Sequence, residues 1–275
     1  MGEIKIDGAT LVYEVGTSES DARQYVSIVE GRDVQGHIKI PAEIEGLPVE
    51  YIEGGAFSGC KDLTGVTIPD GVVWIGESAF TAALNLTYVK IPTRVRWIGD
   101  CAFSGCGGLW FVEIPEGVRR VGFSAFVMCY SLVGVTIPST LESIPRWMFS
   151  DCSSLLQVKI SPGVRRIDGK AFSGCRSLTD ITLPPGITSI GGEAFSGCKA
   201  LKRVTIPDSV TSIGNRAFSD CRNLERVSLP RRSENKSLEL AFVFCSPKLR
   251  ITYRAGEVGG MIGTDDVGVG SVRLN

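Results

Sequence analysis

The sequence predicts a β-rich α/β solenoid: a right-handed superhelix of about nine 23-residue units, each made of short strands and turns. Three observations predict it. Phe57, Phe80, Phe103, Phe126, Phe149, Phe172, Phe195 and Phe218 follow one another at 23-residue steps, and Phe242 comes 24 later. Apolar residues recur at fixed offsets around them, as in Leu63, Val66, Ile68, Val72, Ile75, Ala79 and Phe80. The 43% hydrophobic content is enough to fold the whole length rather than leave it disordered. Repetition at a period of about 20–50 residues marks stacked architectures, in which no unit can bury its own apolar side.

Residues 1–37 are predicted to form an N-terminal β cap. Their two alternating runs, "TLVYEV" and "QYVSIVE", suit a hairpin laid over the first open coil. Residues 38–253 form the solenoid. In each unit a stretch such as Val66-Thr67-Ile68 alternates with period two and reads as a short strand. Pro69 and its counterparts end that strand and turn the chain. The next segment, Val72 to Ile75, has inward residues three apart, so its two middle residues face solvent. Gly76, Gly99, Gly122, Gly191 and Gly214 then suit a tight turn. The stretch "SAFTAAL" has room for one helical turn at most. Residues 254–275 read as a Gly-rich C-terminal segment or linker.

The unit "AFSGCxxLxxVTIPxxVxxIG" resembles the BspA-type leucine-rich repeats, found in many bacterial surface proteins and some protist ones. The opening "IPAEIEGLPVEYIEGGAFSGC" is similar to the usual first unit of such arrays. The resemblance covers residues 38–253. It implies a leucine-rich-repeat fold, an extracellular or cell-surface location and a role in recognition or adhesion, with no shared catalytic residue to carry over.

The chemistry available is narrow. A formal net charge of -1 gives no global attraction for nucleic acid, and no apolar run is long enough for a membrane helix. The N-terminal stretch has no basic-then-apolar signal pattern. His37 is the single histidine, at the edge of the first repeat strand, which leaves no triad and no histidine metal set. "GCGGLWF" lacks the lysine of a phosphate loop, and "GTDDVGVG" lacks the nonapeptide period of calcium-binding repeats. No enzyme, metal or cofactor is expected.

Eight of the nine cysteines stand three residues after the phenylalanine, from Cys60 to Cys245; Ala83 holds that slot in the second unit. Alanine as the substitute marks a small buried position. Cysteines stacked in register would have parallel Cβ vectors, so unpaired thiols are expected. Cys101 is off the pattern, and Cys101–Cys106 is the one pairing to examine.

Function has to be read from the departures. Late units carry Thr188-Ser189 and Thr211-Ser212 before the inward isoleucine, whereas early ones carry Val73-Trp74, Arg96-Trp97, Arg119-Arg120, Glu142-Ser143 and Arg165-Arg166. Stacking would align Trp74, Trp97 and Arg120 about 5 Å apart, and Trp and Arg are the residues enriched in binding hot spots. On the other strand Tyr88 and Phe111, with Trp110 beside them, form an exposed aromatic cluster. The candidate ligand-binding residues are therefore Trp74, Trp97, Arg96, Arg119, Arg120, Arg165, Arg166, Tyr88, Trp110 and Phe111. The expected partner is an extracellular protein or glycan, with acidic groups to suit the arginines. The alternative is a structural, self-assembling protein that oligomerises through its aromatic face. Inter-coil packing alone would account for both rows equally well.

Overall fold

The computed structural model describes residues 1–230 and 238–253. The chain winds as a β-solenoid of about ten turns. Three antiparallel strands open it: β1 (Gly2–Ile6), β2 (Ala9–Thr17) and β3 (Gln24–Arg32). The alternating runs lie in β2 and β3; β1, which the sequence reading passed over, pairs with the outer edge of β2. The coils then start with β4 (Gly36–Lys39), β5 (Glu43–Ile44) and β6 (Leu47–Ile52). From β3 onward the inter-coil pairing is parallel, β3 with β6 and β4 with β7 (Leu63–Thr67).

Every turn contributes to two parallel ladders. The long-strand ladder holds segments that mostly end in Ile-Pro: β4, β7, then β9 (Tyr88–Lys90), β11 (Phe111–Glu113) and their successors to Gln157–Ile160 in one sheet, and, past an isolated bridge at Asp180, Arg203–Thr205, Arg226–Leu229 and Arg250–Tyr253 in another. The short-strand ladder holds β6, β8 (Trp74–Ile75), β10 (Trp97–Ile98) and β12 (Arg120–Val121). The offsets dictate which side chains point in. Val66, Ile68, Val72 and Ile75 are buried, while Thr67 and Trp74 between them are exposed. Strand spacing of about 4.8 Å makes the stack on the order of 40 Å long.

The third side of each coil is where the α component was expected. Among the described residues the single helix is the four-residue Leu238–Ala241, so the fold is a β-solenoid and the α/β assignment does not hold. The reason lies in the hydrogen bonds of "SAFTAAL". Ser78, Phe80 and Ala82 donate their N–H groups to the next coil, to Asp100, Ala102 and Ser104, at 2.7–2.8 Å. The residues between them close turns within the coil, such as Thr81 N–H to the Ser78 carbonyl. Ser78 and Ala82 also sit at φ 54 and 56, outside right-handed helical space. A segment whose donors alternate between neighbouring coil and own turn cannot continue as a helix.

This side carries the phenylalanine ladder. Each ring from Phe57 to Phe242 stacks on the next, with centroids 5.1–5.6 Å apart and planes within 12°. Gly31 closes the N-terminal end, since a Cβ there would fall 2.5 Å from the Phe57 ring. The thiols form a parallel column. Cys106 donates to the Phe80 carbonyl at 3.1 Å, and the same bond recurs up to Cys245 on Phe218 at 3.0 Å. All nine cysteines are unbridged, Cys101 and Cys106 included. Cys60 and Cys245, at the ends of the column, are only partly buried, since each lacks a full coil on one side.

The turn glycines serve a different purpose from the one expected. Gly76, Gly99, Gly122, Gly191 and Gly214 do not have positive φ. They are small because the coils touch there: a Cβ on Gly99 would lie 2.5 Å from the Glu77 backbone nitrogen. Left-handed backbone falls two residues later, at Gly55, Ser78, Cys101, Ser124, Trp147, Lys170, Glu193 and Arg216.

Candidate ligand-binding surface

The outward face of the short-strand ladder is a stack of rings. Trp74 and Trp97 pair in register, with centroids 4.9 Å apart and planes 4° from parallel. Arg120, the next rung, lays its guanidinium over the Trp97 ring at 4.5 Å. The row also continues toward the cap: Tyr51 lies 6.4 Å from Trp74, and Tyr25 of β3 lies 4.6 Å from Tyr51. Tyr51 was legible, because Tyr51-Ile52 stands at the same offset as Trp74-Ile75. Tyr25 was not, because the register slips by one residue between Val26 and Ser27. Within the row Trp97 is sandwiched on both faces, so the tryptophans offer ring edges to an incoming ligand.

The arginines beside this row divide by what they touch. Arg96 Nη1 donates to the carbonyls of Thr93 at 2.9 Å and of Gly117 in the next coil at 3.4 Å. Arg165 Nη1 reaches the equivalent Gly186 carbonyl at 3.5 Å. Both pin the neighbouring turn, as the threonines at that offset do by donating to the preceding coil, Thr188 to Arg165 at 3.1 Å. Arg119 is exposed. Arg166 approaches Asp168 at 3.9 Å and belongs to a different sheet from Arg120. The arginines therefore do not continue the tryptophan row as one stripe.

Pro145 stands at that division. In the other coils the residue after the inward isoleucine or valine donates its N–H to the coil before, as Gly99 does to Ile75, Gly122 to Ile98 and Asp168 to Ile144. Proline has no N–H to give to Val121. The short-strand ladder stops at β12 and resumes in a separate sheet at Ser143–Ile144.

An open groove of about 450 Å³ lies at this break. Trp97 and Arg120 line it from the ring stack, Phe123 and Trp147 from the turns, and Asp100 and Asp168 add carboxylates. Arg146 stacks on Trp147 at 4.6 Å. Trp147 is held at φ 56, a backbone conformation that is costly for a bulky residue. Asp100 accepts from the Phe123 N–H at 3.0 Å. Burial pushes the Asp168 carboxyl up from its ordinary value, against the pull of Arg166 and Arg146. An apolar groove with a few convergent polar groups is the usual form of a small-ligand site. The sequence signal for it was "IPRWMF", where four other units read "IGxxAF" and none has proline.

Tyr88 and Phe111 lie on the long-strand ladder, in a separate sheet, and Trp110 immediately precedes β11. Phe111 is in register with Tyr88, and the Trp110 and Phe111 centroids are 6.1 Å apart. Exposed Val133 and Leu156 hold the Trp110 offset in the next two coils, and exposed Leu84 and Tyr130 share another offset two coils apart. His37, in the same ladder, bonds Thr67 Oγ1 at 2.8 Å and covers Gly65. Among the described residues no group of His, Cys, Asp and Glu could hold a metal ion, and no helix is long and apolar enough to cross a membrane. "GTDDVGVG" and the proposed Gly-rich segment 254–275 lie outside the described residues, apart from the segment's boundary at Tyr253.

No curated protein matches the chain by sequence. Among solved structures it is similar to a leucine-rich repeat protein from Bacteroides ovatus, with 27% identity and a TM-score of 0.60 over 88% of this chain and 69% of that one. A leucine rich cell surface protein from Faecalibacterium prausnitzii shares the fold at 23% identity and a TM-score of 0.57, over 94% of this chain and 96% of that one. The profile of the BspA type leucine rich repeat region matches residues 37–156 and 143–255 in six copies. With its stacked coils and this match over most of its length, the chain belongs to the BspA-type leucine-rich repeat family.

Proposed function

We propose that this chain is a non-catalytic recognition module that binds an extracellular protein or glycan at the short-strand face, with the groove at Pro145 as its centre. The observation that supports it most is the clustering of irregularities there. A proline with no N–H for the ladder, a tryptophan at the left-handed slot that other coils fill with Gly, Ser, Cys, Lys, Glu or Arg, and two Arg-on-Trp stacks converge on one groove. Local rules broken together in an otherwise regular repeat point to use. Exposed ring edges with guanidinium and carboxylate groups beside them suit a sugar ring or a polar peptide loop. A cell-surface location is part of this proposal and draws on the family and on the name of the Faecalibacterium neighbour.

A screen of glycans and extracellular proteins on an array, read beside the solution mass from light scattering, tests the reading. A ligand bound by the native monomer and lost in the variant Trp97→Ser/Arg120→Ser supports it. Unchanged binding would leave the row as inter-coil packing.

The patch of Tyr88, Trp110 and Phe111 supports a second reading, self-assembly. Three aromatics with aliphatic neighbours on one strand face exceed ordinary scatter. A stable dimer that Trp110→Ser dissociates would favour it.

A further inference from the structure

The long-strand face changes character along the stack, and its late half carries a second feature unrelated to the groove. At the outward offset that holds Tyr88 and Phe111 in early coils, the last three rungs hold Arg203, Arg226 and Arg250. They pair in register, so their Cα atoms stand about 4.8 Å apart. Like charges directly opposite each other in a sheet are destabilising. Asp180, one rung earlier, accepts from Arg203 at 3.1 Å; among the described residues Arg226 and Arg250 form no ion pair. Exposed Lys202 and Arg176, at neighbouring offsets, add further positive charge, and Glu225 is the nearby carboxylate on that offset. On a chain of net charge -1 this is a local concentration that packing does not require.

We propose that this arginine column binds an anionic polysaccharide, one bearing carboxylates or sulfates along its length. A file of guanidiniums at strand spacing fits a ligand with repeating charge, and each can grip an oxyanion through two N–H groups. The next outward offset holds Thr182, Thr205, Ser228 and Thr252, hydroxyl groups suited to hydrogen-bond sugar hydroxyls. Tyr253 is the one exposed ring on the described residues of these three strands, whereas the bases of a single-stranded nucleic acid would need a run of such platforms. The site is separate from the Pro145 groove, so either can fail without the other.

The test is binding of the full chain to heparin and to polygalacturonate, with neutral dextran and oligodeoxythymidine as comparators. Both acidic polysaccharides should bind with an affinity that falls as salt rises, and dextran should not. Arg226→Ser/Arg250→Ser should weaken heparin binding at least tenfold at an unchanged or raised melting temperature, while the charge-matched Lys5→Ser/Lys61→Ser, at exposed lysines away from the column, leaves it unchanged. The milder Arg226→Gln should give a smaller loss in the same direction. Equal heparin binding by the double variant, equal binding of dextran, or tighter binding of oligodeoxythymidine than of heparin would each overturn the proposal.

Discussion

Cys106 and Gly99 show how a single slot in a coil is chosen. The Cys106 thiol is buried and donates to the Phe80 carbonyl, and burial pushes its pKa up to about 12. It therefore stays protonated, and unreactive, well above neutral pH. A thiol reagent on the folded protein should modify Cys60, Cys101 and Cys245 and spare the six buried thiols, which it cannot reach, and Cys106 should stay silent even at pH 10. In denaturant without reductant all nine should react. Reaction of Cys106 in the native state at pH 8 would contradict its place in the column. Gly99 is held by contact with the neighbouring coil, Ser124 by its own backbone at φ 55. Gly99→Ala should therefore cost about 1–3 kcal/mol, as overpacking does. Ser124→Gly relieves left-handed strain and frees the unfolded chain, so it should change stability by less than about 1 kcal/mol. Chemical denaturation of both variants checks the pair.

At the scale of one coil, much was legible because side-chain spacing is a direct record of facing. Val66 and Ile68 differ from Thr67 by strand alternation, and Val72 and Ile75 by a corner, and both patterns survive in the folded coil. The third side, expected to hold one helical turn at most, forms none in "SAFTAAL", because length bounds a helix locally while the hydrogen bonds of this segment run to the next coil. Phe80 N–H pairs with Ala102, 22 residues away, a relation that stacking alone creates. The tryptophan row was legible from its shared offset, but the groove was not. It depends on a donor that Pro145 lacks and on Arg146, Trp147 and Asp168 meeting across two coils. Pro145→Gly should restore an N–H opposite Val121. The amide introduced at residue 145 should then be as protected from hydrogen exchange as that of Gly122, and the two short-strand sheets should join. Exchange at that amide as fast as in an open loop would show that something other than the missing donor parts the coils.

Across the whole molecule, each coil touches only its neighbours, so stability is a sum of coil and interface terms. Phe172 stacks on Phe149 and Phe195 at 5.5 and 5.3 Å, in the interior of the array. Phe172→Ala should cost about 3–5 kcal/mol, with faster hydrogen exchange spreading into both adjacent coils. A melting temperature unchanged within error would refute the ring ladder as the spine of the solenoid. That spine is what frees the outward positions to vary, and the central claim is that their variation at the Pro145 groove serves recognition. The most direct measurement is the affinity of the chain for the ligand it captures, beside that of Trp97→Ser/Arg120→Ser/Trp147→Ser. If the groove is a hot spot, affinity should fall by at least about 2 kcal/mol, close to 30-fold, with the coils still folded. Affinity equal to that of the native chain would contradict the claim, and so would a loss of binding that merely follows unfolding.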